Sequence, residues 1–391
     1  MANRYDFTKK VKEVIAGRAG YRCSFVGCNA LLIGPVGNEY QTFGECAHIY
    51  AAKGRGPRGQ ADLSEEAIKS AGNGIYLCKT HHKLIDSKEG CQEYDAQTLL
   101  LMKQEHEYNI SCEIGIQQRP MTLIKHLTFV SHPFFGCDKT FKLTKITILE
   151  GGNDSGKTAF IETLYSILTG EDVAKRWKKN DIEVILSTNP VSQNIRYQYH
   201  ENVTRYFDAD NHQIGFCPYN IEVFYLRDKS YTQEIDDIKS IANRLGIDDL
   251  SKVKTMVESA DLEDSIIVSE IGNITEEYDD EGKKYECLPI NIKSSDITFR
   301  YSQLSTSQQN GFLLDLVSGY MKSIAKYKNA ILLIDWGEFE SFDDKWKNDY
   351  LRSLQKTGNK VQVIITARRP LNEIKVGGWN IIKLQKKILL S

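Results

Sequence analysis

At 391 residues the chain exceeds one usual hydrophobic core, so two domains are expected. Apolar residues make up 41% and charged residues 26%, with a net charge of −2; this is ordinary globular composition without a global basic field, so any nucleic-acid contact must be local. The longest aliphatic run, Ile331 to Ile334, ends in Asp335 and the opening MANRYDFTKK has no apolar signal core, which argues against a membrane span. Nine cysteines without a secretion signal point to a reducing cytoplasm and favour metal ligation over disulfides.

In chain order, Phe7, Val11, Val14 and Ile15 recur at helical spacing and predict a helix ending near Gly17 or Gly20. Cys23 and Cys28 follow as a C-x4-C knuckle, and a second pair, Cys78 and His81, stands far downstream. Two short pairs of soft or imidazole ligands brought together by the fold give a Cys3His tetrahedral zinc site from Cys23, Cys28, Cys78 and His81. Between the pairs, TFGECAHI (42–49) reads as a strand carrying His48, and Lys53 to Arg58 is a basic, glycine-broken loop. After a short polar helix, Asn73 precedes a further strand, and a helix then holds His82 and Asp86. Those two stand four apart and share one helix face, as a metal needs.

His48, Asn73 and His82 resemble the HNH, or ββα-metal, endonucleases. The form Asn73-x8-His82-x3-Asp86 parallels the colicin-type signature with Asp86 in place of the last histidine. The phrases RAGYRCS, AHIYAAKGRGPRG and NGIYLCKTHHKLID are similar to the HNH modules of bacterial defence nucleases, including those of CBASS effectors, over about residues 15–90. The resemblance implies that His48 is the general base, that Asn73 holds its imidazole or braces the loop, and that His82 binds one divalent ion. The position before the base, often an acidic or histidine ligand in that family, is Ala47, so Asp86 or Glu45 would share the ion, with Asp86 favoured by helix geometry. Arg55 and Arg58, next to the base, are expected to meet phosphates, since arginine fits them bidentately.

Residues 92–120 read as a helix and a polar linker ending at Pro120, which sets expected domains of 1–115 and 121–391. Strand-like runs (121–129 and 141–149) then feed Gly151-Gly152-Asn153-Asp154-Ser155-Gly156-Lys157-Thr158, with an apolar-periodic helix behind it. This is G-x-x-x-x-G-K-T between strand and helix: glycines turn backbone N–H groups onto phosphates, Lys157 reaches the terminal phosphates, and Thr158 can ligate Mg2+. The chain is therefore expected to bind ATP. Further β-type runs occupy 183–231, where sheet packing accounts for the many tyrosines and phenylalanines. Glu276 to Glu286 reads as a charged, solvated hairpin.

Leu304-Ser305-Thr306-Ser307-Gln308 opens a helix, Ala330 to Asp335 is a buried strand ending in an acid, and Val361 to Thr366 is another buried strand. Alternation of apolar strands and helices predicts an α/β fold with a mainly parallel sheet. Over about 121–391 the chain resembles the ABC ATPase family in its RecF/SMC-like branch, without a long coiled-coil arm. Leu304 to Gln308 matches the LSGGQ signature with both glycines replaced. The resemblance implies a head-to-tail homodimer or higher homo-oligomer through Ser305, and Mg2+ orientation by Asp335. The residue after that acid, normally the catalytic glutamate, is Trp336, and the switch histidine is replaced by Arg368; Glu338 is a candidate substitute. Binding with slow or absent hydrolysis follows.

The two resemblances imply a zinc-stabilised ββα-metal domain cutting DNA, joined to an ATP-binding ABC-type domain that regulates it. The pairing is similar to Septu-like prokaryotic defence. A repair or structural ATPase whose HNH-like part is a non-catalytic zinc clamp stands as a rival, and RNA stays open as the substrate.

Overall fold

The computed structural model describes residues 5–53, 56–61, 63–117, 123–189, 194–214, 221–227, 234–326, 328–335, 337, 339, 342–356, 360–369 and 379–385. Arg55, Pro120, Met121, Trp336 and Glu338, all used in the sequence reading, lie outside them.

The chain opens with α1 (Lys9–Arg18), capped by the Thr8 hydroxyl accepting from Val11 N. A hairpin of β1 (Ile33–Val36) and β2 (Glu39–Thr42) follows, and then β3 (Glu45–His48). The sequence reading ran 42–49 together as one strand. Phe43 and Gly44 divide it, and a Cβ at Gly44 would sit 2.3 Å from the Tyr76 ring. After α2 (Glu65–Lys69), β4 (Gly74–Leu77) pairs antiparallel with β3, His48 opposite Gly74, and α3 (Lys79–Ile85) follows at once. This is the ββα unit. α4 (Gly90–Glu93) and the long α5 (Ala96–Glu113) complete a small core of Phe7, Ile15, Ile49, Ile75, Ile85 and Leu99.

The second part begins with β5 (Ile124–His132), β6 (Gly136–Lys142), β7 (Ile146–Glu150) and α6 (Lys157–Thr169). Then come β8 (Ile182–Thr188), β9 (Asn194–His200), β10 (Val203–Phe207), β11 (Gln213–Ile214) and β12 (Ile221–Arg227). A helical and hairpin region holds α7 (Asp237–Leu245), α8 (Leu250–Ser259), β13 (Val268–Ile271), β14 (Thr275–Tyr278), β15 (Lys284–Cys287), β16 (Pro289–Ile292) and β17 (Thr298–Arg300). The chain continues through α9 (Thr306–Ile324), β18 (Asn329–Asp335), α10 (Asp344–Gln355), β19 (Val361–Ala367) and β20 (Trp379–Lys383).

The expected parallel sheet is there, in the order β12-β18-β19-β7-β20. Its three central strands, β18, β19 and β7, are buried on both faces. Leu332, Ile334, Val363 and Ile365 pack toward α9 and α10, whereas Ile331, Leu333 and Ile364 pack toward α6. A six-stranded antiparallel sheet, β11-β10-β9-β8-β5-β6, covers the α6 side, with Tyr197, Tyr199 and Tyr206 in its core. The charged hairpin is β14–β15, with Gly282 at φ +74° in its turn. The two parts meet at α5. There Glu105, buried, accepts from Asn329 Nδ2 at the start of β18 (2.7 Å).

Candidate nuclease and nucleotide sites

The zinc-type ligands converge. Cys23 and Cys28 flank a tight turn, Cys28 N donating to Phe25 O, while Cys78 caps α3 and His81 lies in its first turn. One ligand atom from each of the four lies within 4.8 Å of all the others. His81 Nδ1 stands 3.1 Å from Cys78 Sγ and 3.5 Å from Cys23 Sγ. Tetrahedral zinc with sulfur and nitrogen ligands has edges of about 3.5–3.8 Å, so the set fits. Burial keeps His81 below its usual pKa, leaving it neutral with a ring lone pair, and Phe25 stacks on it at 3.9 Å. Burial also pushes the Cys23 thiol up to about 12. A dication at the centre removes that penalty on the thiolate.

Next to this knuckle lies a cleft of about 320 Å³ lined by residues that include His48, Arg58, His82 and Asp86. His82 is clasped from both sides. Its Nδ1 is 2.7 Å from Glu45 Oε2, and its Nε2 is 3.4 Å from Asp86 Oδ2. Asp86 caps the end of α3, one turn on from His82. The bond to Asp86 raises the His82 pKa, with Glu45 adding and burial opposing. Burial pushes Asp86 up, but bonds from His82 and Arg58 outweigh it and hold its carboxyl below the usual range. A carboxylate on one imidazole nitrogen and an open ligand pair on the other is the arrangement of a metal-binding histidine with its orienting partner. Glu45 thus faces one ring nitrogen of His82 and Asp86 the other.

Asn73 does not touch the imidazole of His48. Its side chain accepts from Tyr50 N (2.7 Å) and donates to Tyr50 O and Ile68 O, bracing the chain just past His48. His48 Nε2 faces Tyr5 O at 3.1 Å, and its ring stacks on Phe7. Arg58 departs from the expected phosphate contact. Its side chain is 3% exposed and donates to Ile49 O, Ile85 O, His48 O and Asp86. It ties the strand end bearing His48 to the helix end bearing Asp86. Lys12 and Lys53, which sequence reasoning did not single out as contacts, line the cleft instead.

The phosphate loop follows β7 as its spacing requires. Gly156 has φ +92°, and a Cβ there would lie 2.2 Å from the Phe134 ring. Lys157 Nζ donates to the carbonyls of Gly151 (2.6 Å) and Gly152 (2.8 Å). Ser155 is buried, and among the described residues its Oγ has no hydrogen-bond partner, an orphan hydroxyl that suits a phosphate oxygen. A cleft of about 740 Å³ opens over Asn153, Gly156, Lys157 and Thr158, with Asp335 and Arg368 on its wall. Asp335 Oδ1 accepts from Thr366 Oγ1 at 2.8 Å, which aims it into this cleft from the adjacent strand. The loop and acid thus fit a magnesium-bound nucleoside triphosphate. Arg176, Trp177, Tyr225 and Arg227 also line the cleft and carry no motif that would have flagged them. Ser305 is exposed, outside that lining, and caps α9 in a reciprocal box with Gln308.

Residues 23–89 match the HNH endonuclease family, HNH_2. No curated protein matches the chain. Among solved structures it is similar to the SMC head domain from Thermotoga maritima, at 13% identity and TM-score 0.36 over 64% of this chain and 90% of that one. It is also similar to the Smc head domain with an extended coiled coil from Pyrococcus furiosus (12% identity, TM-score 0.42, 64% and 90% covered). A third is the recombination mediator protein RecF with ATP (12%, TM-score 0.40, 68% and 96%). What defines the nucleotide part is its own phosphate loop and sheet order. Residues 23–89 therefore match an HNH endonuclease module, carried on one chain with a domain that joins a phosphate loop to a five-stranded parallel sheet.

Proposed function

We propose that the chain is a metal-dependent endonuclease that cuts DNA under the control of ATP bound in the second domain. The observation that carries the nuclease reading is His82 clasped between Glu45 and Asp86 in the cleft that also holds His48. His82 Nε2 and the Asp86 carboxylate would hold a divalent cation, which when bound supplies charge stabilisation at the scissile phosphate. The protein's own residues do the rest. Tyr5 O can only accept, so the neutral His48 carries its proton on Nε2 and takes the proton of the attacking water at Nδ1. Glu45 fixes the ring of His82. Asn73 and Arg58 hold the chain on either side of the base, and Lys12 and Lys53 supply phosphate contacts. Cys23, Cys28, Cys78 and His81 hold a structural zinc.

For ATP, Gly151, Gly156 and Lys157 cradle the phosphates while Thr158 and Asp335 would hold Mg2+. Arg368 in place of a switch histidine and Trp336 after the acid leave ground-state binding intact and weaken hydrolysis. ATP then acts as a ligand, restraining cutting until it is depleted, and Ser305 joins head-to-tail copies. We take residues 1–115 and 121–391 as the two domains and anti-phage defence in the cytoplasm as the setting. The test is cleavage of DNA and of RNA across an ATP titration, with and without divalent metal, beside phosphate release. Cleavage of DNA that needs metal and falls as ATP rises supports the reading. Binding without cutting at any metal concentration would favour the zinc-clamp alternative, and cutting of RNA alone would reassign the substrate. Hydrolysis at several turnovers per second that is abolished by Glu338→Gln would make ATP a fuel.

A further inference from the structure

The segment ahead of α1 places Asp6 and Phe7 on the wall of the cleft and packs on the base. Phe7 lies parallel to the His48 imidazole, ring centres 3.7 Å apart and planes 3° apart. Tyr5 O stands 3.1 Å from His48 Nε2, and Tyr5 N donates to Ala52 O, pinning the segment to the chain just beyond the base. Phe7 is 5% exposed. Room for it comes from Gly74, which faces His48 across the strand pair. A Cβ at Gly74 would lie 2.3 Å from Ile15 and 3.1 Å from the Phe7 ring. The glycine after Asn73 thus leaves a gap that α1 and the segment before it fill.

Resting on the nuclease reading above, we propose that Phe7 and the main-chain carbonyl of Tyr5 are positioning residues of the HNH centre, holding His48 and favouring its protonated form. The carbonyl sets the tautomer, which makes Nδ1 the atom that takes the proton. As that proton arrives the ring becomes a cation. The Nε2–H bond to Tyr5 O is then charge-assisted, and the π face of Phe7 attracts the imidazolium. Both interactions are stronger after proton transfer than before it, and that difference accelerates the step. Attraction of a ring face for a cation corresponds to roughly 3- to 30-fold in rate.

The experiment uses the full chain with Mg2+ and plasmid DNA. Phe7→Leu keeps apolar bulk and removes the π face; deletion of residues 1–5 removes the Tyr5 carbonyl and keeps Asp6. Zinc content and melting temperature report folding. We expect Phe7→Leu and the deletion to lower kcat roughly 3- to 30-fold with KM unchanged. The acid limb of the rate profile should move to lower pH in Phe7→Leu, since Asp6, Lys12, Lys53, Arg58, His82 and Asp86, which line the cleft with His48, are unaltered. A kcat within twofold of wild type in both Phe7→Leu and the deletion, while His48→Ala abolishes cutting, would overturn this inference and leave the nuclease reading intact. Undiminished cutting by His48→Ala would overturn both.

Discussion

Arg58 gives the sharpest contrast between a phosphate contact and an internal strut. Replacing it with alanine removes four donors from His48 O, Ile49 O, Ile85 O and Asp86, at distances between 2.6 and 3.1 Å. Three of the acceptors are main-chain carbonyls, and the guanidinium is 3% exposed. Each neutral hydrogen bond contributes about 0.5–1.5 kcal/mol and the charged one about 1.5–3 kcal/mol. The Asp86 carboxylate is 37% exposed, so solvent screens the ionic bond, and the three buried carbonyl bonds set an expected loss of local stability of about 1.5–4.5 kcal/mol for Arg58→Ala. It should appear as faster hydrogen exchange in β3 and at the end of α3, with cleavage lost because His48 and Asp86 no longer keep their spacing. Binding of uncleaved DNA, measured without divalent metal, should keep its dependence on salt. A side chain that neutralised one phosphate would instead contribute a slope of about 0.9 in log K against log salt. A stable Arg58→Ala protein with that slope lowered would refute the strut.

Removing zinc with a chelator, or Cys78→Ser, should unfold the module containing residues 23–89 while nucleotide binding survives, because the ligand set supplies that module's folding energy; circular dichroism and zinc content decide. Gly156→Ala should abolish ATP binding in a calorimetric titration, since the new methyl meets the Phe134 ring at 2.2 Å and the backbone is held at φ +92°. His106 is buried against Ala19 O, and burial depresses its pKa below the ordinary 6.5, an effect only partly offset by that bond. The unfolded chain therefore binds the proton more readily, so the contribution of neutral His106 is full above about 6.5 and declines as pH falls through it. His106→Gln should flatten the loss of melting temperature between about pH 7.5 and pH 5, and an unchanged slope would count against burial as the cause.

Spacing made two features of the site legible in advance. Paired ligands at Cys23/Cys28 and Cys78/His81 have few uses other than zinc, and His82 and Asp86 had to share a helix face. The phosphate loop was legible because glycine, lysine and threonine stand between an apolar strand and an apolar-periodic helix. The role of Glu45 was not, because it depends on β3 lying beside α3, a matter of tertiary register. Arg58 misled for a related reason. A basic, glycine-broken loop beside His48 reads as a phosphate contact, yet the Arg58 side chain is 3% exposed and donates to main-chain carbonyls. Phe7 looked like an ordinary helix-entry residue, and only the gap at Gly74 explains its place against His48. In the second domain the parallel sheet followed from strand–helix alternation. The six-stranded antiparallel sheet did not, since β-type runs reveal strands but not their order.

The central claim is that His48 serves as the base of a working nuclease whose fold does not depend on it. The most direct measurement is the rate of Mg2+-dependent plasmid cleavage by His48→Ala beside wild type, with zinc content and melting temperature recorded on the same preparations. A general base contributes about 10²–10⁴-fold. Cleavage should fall by that factor with zinc and melting unchanged. Equal cleavage by the two proteins, or no cleavage by wild type under any metal and nucleotide condition, would contradict the account.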